Sequence, residues 1–279
     1  MTIPSDMQGC TYNGQEVLTL QVNGQTVWEQ KSGIDSAAFG DILFYDVQND
    51  CLITRSNDDY DINEMPLTDY EPIGVCVWDK ASHAVGKTVF MSVKLMTPYY
   101  PQNGSVSTFA GNNTKSASLY YGFKNYDLSQ DIPNIRSMSY VDTAAINDAM
   151  MQLVTYNWWS GNTLVRNETV GYAPAWEACW RFSPPGTTPS SGGNRGDWLL
   201  PTVYDMQKFS DNYQDILDVL TAISNKAGDT VLKSDAIKVG LKLATEKDET
   251  YHWCTYYNDG SIDYYTKHGT QYCRAVYIV

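Results

Sequence analysis

Ala173-Pro174-Ala175-Trp176-Glu177-Ala178-Cys179-Trp180-Arg181-Phe182, a loop of Ser, Pro and Gly, and then Gly196-Asp197-Trp198-Leu199-Leu200-Pro201 form the stretch that decides how this chain folds. Pro174 suits a first helical turn, where its missing N–H is no loss. Trp176, Cys179 and Trp180 then share a face by their spacing of three and four. The loop from Ser183 to Gly196 is too rich in Pro and Gly for regular structure. Trp198-Leu199-Leu200 reads as a strand stub, and Pro201 as the opening of a long amphipathic helix. Val203, Met206, Phe209, Tyr213, Ile216, Leu217, Leu220 and Ile223 keep helical spacing along that helix. Nothing in this unit has a catalytic pattern, so it reads as a scaffold.

Working outward, Asp142 to Tyr156 looks helical, with Asp142 or Thr143 as cap and Ile146, Met150, Leu153 and Val154 on one stripe. Upstream lie strand candidates at 40–46 and 51–54, a near-continuous apolar run at 72–78, and an alternating run at 85–95. Residues 97–140 contain a long Gly/Asn/Ser-rich insert carrying several tyrosines. Long loops inside compact domains are usually functional or disordered, and aromatics argue against disorder. Downstream, a short helix is expected at 234–244. Then come a strand at 251–257, a turn at Asn258-Asp259-Gly260, a strand at 261–265 and a last strand at 272–278. Asp-Gly at such a tip is hairpin chemistry. Strands, then helices, then strands describe an α+β domain with small antiparallel sheets, two main helices and long irregular loops.

The first 34 residues stand apart. Val17 to Val22 alternates, Asn23-Gly24 turns, and Gln25 to Trp28 alternates again, which is a strong hairpin signal. Lys31-Ser32-Gly33 reads as a linker. A lone hairpin is marginal in water, so this one is expected to dock on something. The expected division is an attachment segment at 1–34 and a main domain at 35–279.

Bulk properties exclude several functions. The 279 residues carry a net charge of −13, which repels phosphate backbones and argues against a nucleic-acid partner. No apolar run approaches the roughly 18 residues that span a membrane. The first residues lack the basic and apolar regions of a secretory leader, so folding in a cytoplasm is expected. The cysteines at 10, 51, 76, 179, 254 and 273 show no metal-ligand spacing, nor do His83, His252 and His268. Buried free thiols are expected, with a bond from Cys179 to the C-terminal strands as the alternative in an oxidising medium. Asp59, Asp61 and Asn63 resemble the start of a calcium loop but lack its glycine, and read as an acidic solvated loop. No acid, base or nucleophile constellation appears, so neither an enzyme nor a cofactor is expected. The aromatic load is high, with 21 Tyr and 8 Trp against 7 Phe. Tyr and Trp favour contact surfaces because each joins a rigid apolar body to a polar tip, though Tyr also favours strands. Of Tyr256-Tyr257 and Tyr264-Tyr265, strand alternation expects one ring of each pair outside and one in the core.

The combination of Ala175-Trp176-Glu177-Ala178-Cys179-Trp180, Gly196-Asp197-Trp198-Leu199-Leu200-Pro201, His252-Trp253-Cys254 and the terminal Cys273-Arg274-Ala275-Val276 resembles the C-type-lectin-fold proteins of gut bacteria and their phages. The strand candidates at 40–46 and 72–78 extend the likeness over residues 39–279. Residues 17–29 are similar to virion-docking segments of Bacteroides-type phage proteins. The resemblance implies a C-type-lectin-like fold with the domain's termini paired in one sheet. It further implies a non-enzymatic virion protein, a tail or head fibre or decoration, that binds a host-surface glycan or protein. The ligand-binding positions it implies are Trp253, Thr255, Tyr256, Tyr257, Asn258, Asp259, Asp263, Tyr264 and Tyr265. Residues 1–34 would contact other virion proteins. Homotrimers are common among fibres, and no heptad here specifies one. The alternatives are a purely structural subunit, a retroelement-diversified variable protein, or a place on the bacterial surface. The chain departs from the calcium-dependent sugar binders of this fold, because Tyr257-Asn258-Asp259 only approaches their Trp-Asn-Asp triplet. It departs from the sulfatase-activating branch as well, because Cys254 and Cys273 lie far apart in sequence.

Overall fold

The computed structural model describes residues 33–57, 66–96, 119–123, 125–154, 173–188, 196–227, 232 and 234–279. It also describes the backbone pairing of 10–12, 15–17, 19–22 and 25–29. The acidic run at 59–63, the insert from 97 to 118 and the glycines at 192–193 lie outside the described residues. The chain divides into two compact units, 1–33 and 34–279.

The first unit holds two hairpins. Cys10–Tyr12 (β1) pairs with Gln15–Val17 (β2), and Thr19–Val22 (β3) pairs with Gln25–Glu29 (β4) around Asn23-Gly24.

The second unit is an α+β assembly built on one six-stranded antiparallel sheet. Its strands are Ile42–Asp46 (β5), Cys51–Arg55 (β6), Tyr70–Trp78 (β7), Val89–Ser92 (β8), Trp198–Leu199 (β10) and Val276–Ile278 (β15). They lie in the order β10-β15-β8-β7-β5-β6. The two-residue strand Leu119–Tyr120 (β9) belongs elsewhere, paired with Thr270–Gln271 (β14). The resemblance implied pairing of the unit's first and last strands. Here β5 and β15 share the sheet but β7 and β8 stand between them.

Both faces of this sheet are buried, which explains the unbroken apolar run in β7. Ile42, Phe44, Val75, Val77, Val89 and Met91 face one core, with the helices Val203–Asp211 (α3) and Tyr213–Ala227 (α4) packed on it. Leu43, Cys76 and Phe90 face the other core. There Thr143–Leu153 (α1), Pro174–Arg181 (α2) and Trp198 cover them. Trp176 and Trp198 are wholly buried, and truncating either is expected to cost about 3–5 kcal/mol.

Local chemistry sets the helix boundaries. Asp142 caps α1, its Oδ1 accepting from the amides of Ala144 and Ala145 at 3.0 and 3.3 Å. Pro174 stands in the first turn of α2. Thr202 caps α3 in a capping box with Asp205, so Pro201 precedes the cap and does not occupy the first helical turn. The long helix expected after Pro201 is two helices. Asn212 leaves helical geometry at φ −127°, ψ 38°, and its side chain bonds back to the Lys208 carbonyl at 2.9 Å. The helix expected at 234–244 is also corrected. A single short turn at Ser234–Ala236 leads to a strand, Lys242–Glu246 (β11). Leu241 and Lys242 tie to Tyr272 and Thr255 by backbone bonds, which holds this segment extended. Strand β11 pairs with Tyr251–Thr255 (β12), and β12 with Ile262–Thr266 (β13), in a three-stranded sheet of order β11-β12-β13.

The described cysteines 51, 76, 179, 254 and 273 are free. Burial, with Cys273 beside it, pushes the Cys179 thiol well up. No helix among the described residues is long and apolar enough to cross a membrane.

Candidate functional site

The β12–β13 hairpin carries the residues singled out in the sequence. Its tip turns at Tyr257–Asp259, and Gly260 closes it at φ +71°, where a side chain would also strike the Tyr213 ring. Asp259 Oδ1 accepts from the amide and hydroxyl of Ser261 at 3.0 and 2.7 Å. Tyr213, at the start of α4, donates its hydroxyl to the Tyr257 carbonyl at 2.8 Å. Break and tip are therefore linked: the interruption at Asn212 lets α4 begin beneath the hairpin.

Tyr256, Tyr257, Tyr264 and Tyr265 are all exposed, at 40, 49, 45 and 42%. The expectation that one ring of each pair would enter the core is thus corrected. Tyr256 and Tyr257 lie on the turn, outside strand alternation. Tyr264 and Tyr265 do point to opposite faces, but β13 is an edge strand and both rings stay partly in solvent, Tyr265 on the side of Lys242 and Gly269. The Tyr256 and Tyr257 rings lean together at 4.8 Å. Asn258, Asp259 and Asp263 are exposed beside them. Trp253 is half-buried. Thr255 is not brought to the surface: it is fully buried, and its hydroxyl accepts from the Leu241 amide at 3.0 Å.

The hairpin rests on a buried polar layer that the sequence reading did not find. Lys242 Nζ meets His252 Nε2 at 3.0 Å and donates to the Gly269 carbonyl at 3.0 Å. The His252 ring stacks on Tyr121 at 4.6 Å. Its Nδ1 lies 2.7 Å from the Trp253 carbonyl, which places the proton there and leaves Nε2 to accept from Lys242. Burial pulls the Lys242 amine down to about 7, and burial with the nearby Lys242 pulls His252 well down. Beside them Lys267 forms a fully buried ion pair with Glu246. Glu246 also accepts from Arg136 Nε at 2.8 Å and from the Leu128 amide at 3.0 Å. This carboxylate thus anchors the irregular 125–136 segment against the hairpin sheet. No sequence spacing relates these residues; the sheet register brings them together.

A second concave region lies between α1 and β15, a cavity of about 260 Å³ lined by His83, Tyr140, Asp142, Asp197 and Asp205 among others. His83 stands edge-on to Trp78, Tyr140 and Tyr204. Burial, then Lys87, lowers its pKa, so the ring is neutral at pH 7. The carboxylates there hold structure. Asp142 caps α1, Asp197 accepts from the Thr188 amide at 2.6 Å, and Asp205 accepts from Thr143 Oγ1 at 2.6 Å and the Thr202 amide at 2.7 Å. Among the described residues no group of three His, Cys, Asp or Glu converges as metal ligands.

Compared with known proteins, the chain matches no family model and no curated protein.

Proposed function

We propose that this chain is a non-enzymatic phage virion protein, a fibre or decoration, whose C-type-lectin-like domain presents the 253–265 hairpin to a glycan or protein on the host surface. One observation carries this reading: four tyrosines stand exposed on a hairpin braced from beneath by Tyr213 and a buried polar layer. Exposed rigid rings beside Asn258, Asp259 and Asp263 suit stacking on sugar faces or anchoring in a protein epitope. Residues 1–34 are the attachment segment to other virion proteins.

The test is adsorption. Particles carrying Tyr256→Ala, Tyr257→Ala and Tyr265→Ala together are expected to assemble but to lose binding to host cells. Intact particles that adsorb like the parent would overturn the reading. A second reading is favoured by β13, whose outer edge pairs with no strand among the described residues and suits pairing with or packing on a neighbouring subunit. In that case the triple variant loses assembly, and the isolated parent protein is oligomeric.

A further inference from the structure

The outer face of the three-stranded sheet holds an aromatic cage. The Tyr264 ring is its floor. Tyr251 and Trp253, two apart on β12 and therefore on one face, stand over it at 80° and 87°, with ring centroids 5.3 and 6.1 Å away. Lys247 reaches in from the β11–β12 turn. Its Nζ lies 2.9 Å from the Tyr264 centroid, 5.8 Å from that of Tyr251 and 5.7 Å from that of Trp253. Among the described residues its ammonium has no carboxylate and no hydrogen-bond acceptor; the rings alone hold it.

We propose that this cage is a binding site for a quaternary ammonium group, with Lys247 as a resident occupant that the ligand displaces. A cage with three ring walls and no acceptor suits a cation that has no N–H to donate. A primary ammonium in the same place gives up hydration without receiving a hydrogen bond in exchange. The chain's net charge of −13 favours a cationic ligand over an anionic one. Lys247 leaves without dismantling the turn. The turn is fixed by backbone bonds, Lys247 N to the Tyr251 carbonyl at 3.0 Å, and by Asp248 Oδ1, which accepts from the amides of Thr250 and Tyr251 at 2.8 Å each. The inference rests on reading the hairpin sheet as a ligand face and not on where the chain sits in a particle.

The test uses the full chain and choline, followed by the upfield ring-current shift of its methyl protons in NMR titration. Lys247→Ala is expected to bind choline about tenfold more tightly than the parent, the scale of removing one competing cation–π contact. The neutral isostere 3,3-dimethylbutan-1-ol is expected not to bind. Adding Tyr264→Ala, an exposed edge-strand change, is expected to abolish binding. Equal choline binding by parent and Lys247→Ala overturns the proposal, and so does equal binding of the neutral isostere or indifference to Tyr264→Ala. Choline that fails to bind while the tip-tyrosine variant loses adsorption sinks the cage and leaves the hairpin reading standing. Choline binding with unchanged adsorption does the reverse.

Discussion

The two sides of the β12–β13 hairpin are built on opposite terms. At the tip and on the outer face, large aromatic rings stand in solvent, held mainly by each other and by Lys247. On the inner side Lys242, His252, Lys267 and Glu246 are wholly buried, and their polar atoms meet specific partners. A buried polar group without a partner costs far more than an exposed ring costs to remove. The inner side is therefore intolerant of change and the outer side is free to vary, which is the arrangement a contact surface needs.

Breaking the inner side has the largest expected effect. Lys267→Met leaves Glu246 buried with only Arg136 to balance it, and is expected to cost about 3–5 kcal/mol in chemical denaturation. Next comes the link between the two sides. Gly260→Ala forces a Cβ into a positive-φ position and against the Tyr213 ring, at a cost of about 1–3 kcal/mol, read as a lower urea midpoint. The third test is pH. Lys242 releases its proton near pH 7 when folded but near its usual 10.5 when unfolded. Between those values the unfolded chain binds more protons, so this lysine makes stability rise with pH, and the gain is absent below pH 7. Lys242→Met is expected to flatten that rise, by about 1 kcal/mol or more between pH 7 and 9. Glu177, buried in α2, has the opposite sign. Its carboxyl is pushed up to about 9, so its contribution is full below pH 4.5 and is lost as pH climbs to 9. Glu177→Gln should remove that loss, and the two variants together separate the opposing slopes. The smallest expected effect is at the tip: Tyr256→Ala and Tyr257→Ala should each change stability by no more than about 0.5 kcal/mol.

Much of the framework was legible in the sequence because it rests on short-range signals. Asn23-Gly24 and Asp259-Gly260 marked their hairpins, Pro174 and Asp142 their helix starts, and the run at 72–78 a strand buried on both faces. Elsewhere the signal was not local. The stripe Phe209, Tyr213, Ile216, Leu220 runs through the break at Asn212 in register, so periodicity alone reads a single helix. The strand β11 is not legible locally, because Lys242 and Glu246 at its ends are buried only through His252, Gly269, Lys267 and Arg136, all distant in sequence. The aromatic cage needed the register that sets Tyr264 across from Trp253. Tyr251 and Trp253 showed the spacing, and nothing in the sequence placed Lys247 among them.

The central claim is that the exposed tyrosines of the hairpin meet the host surface. Hydroxyl-radical footprinting of the four tyrosines, with and without host-cell envelopes, addresses it directly. The account predicts that Tyr256, Tyr257, Tyr264 and Tyr265 become protected while the exposed Tyr140, far along the chain, stays reactive. Unchanged labelling of the hairpin while the protein is bound to envelopes would contradict it.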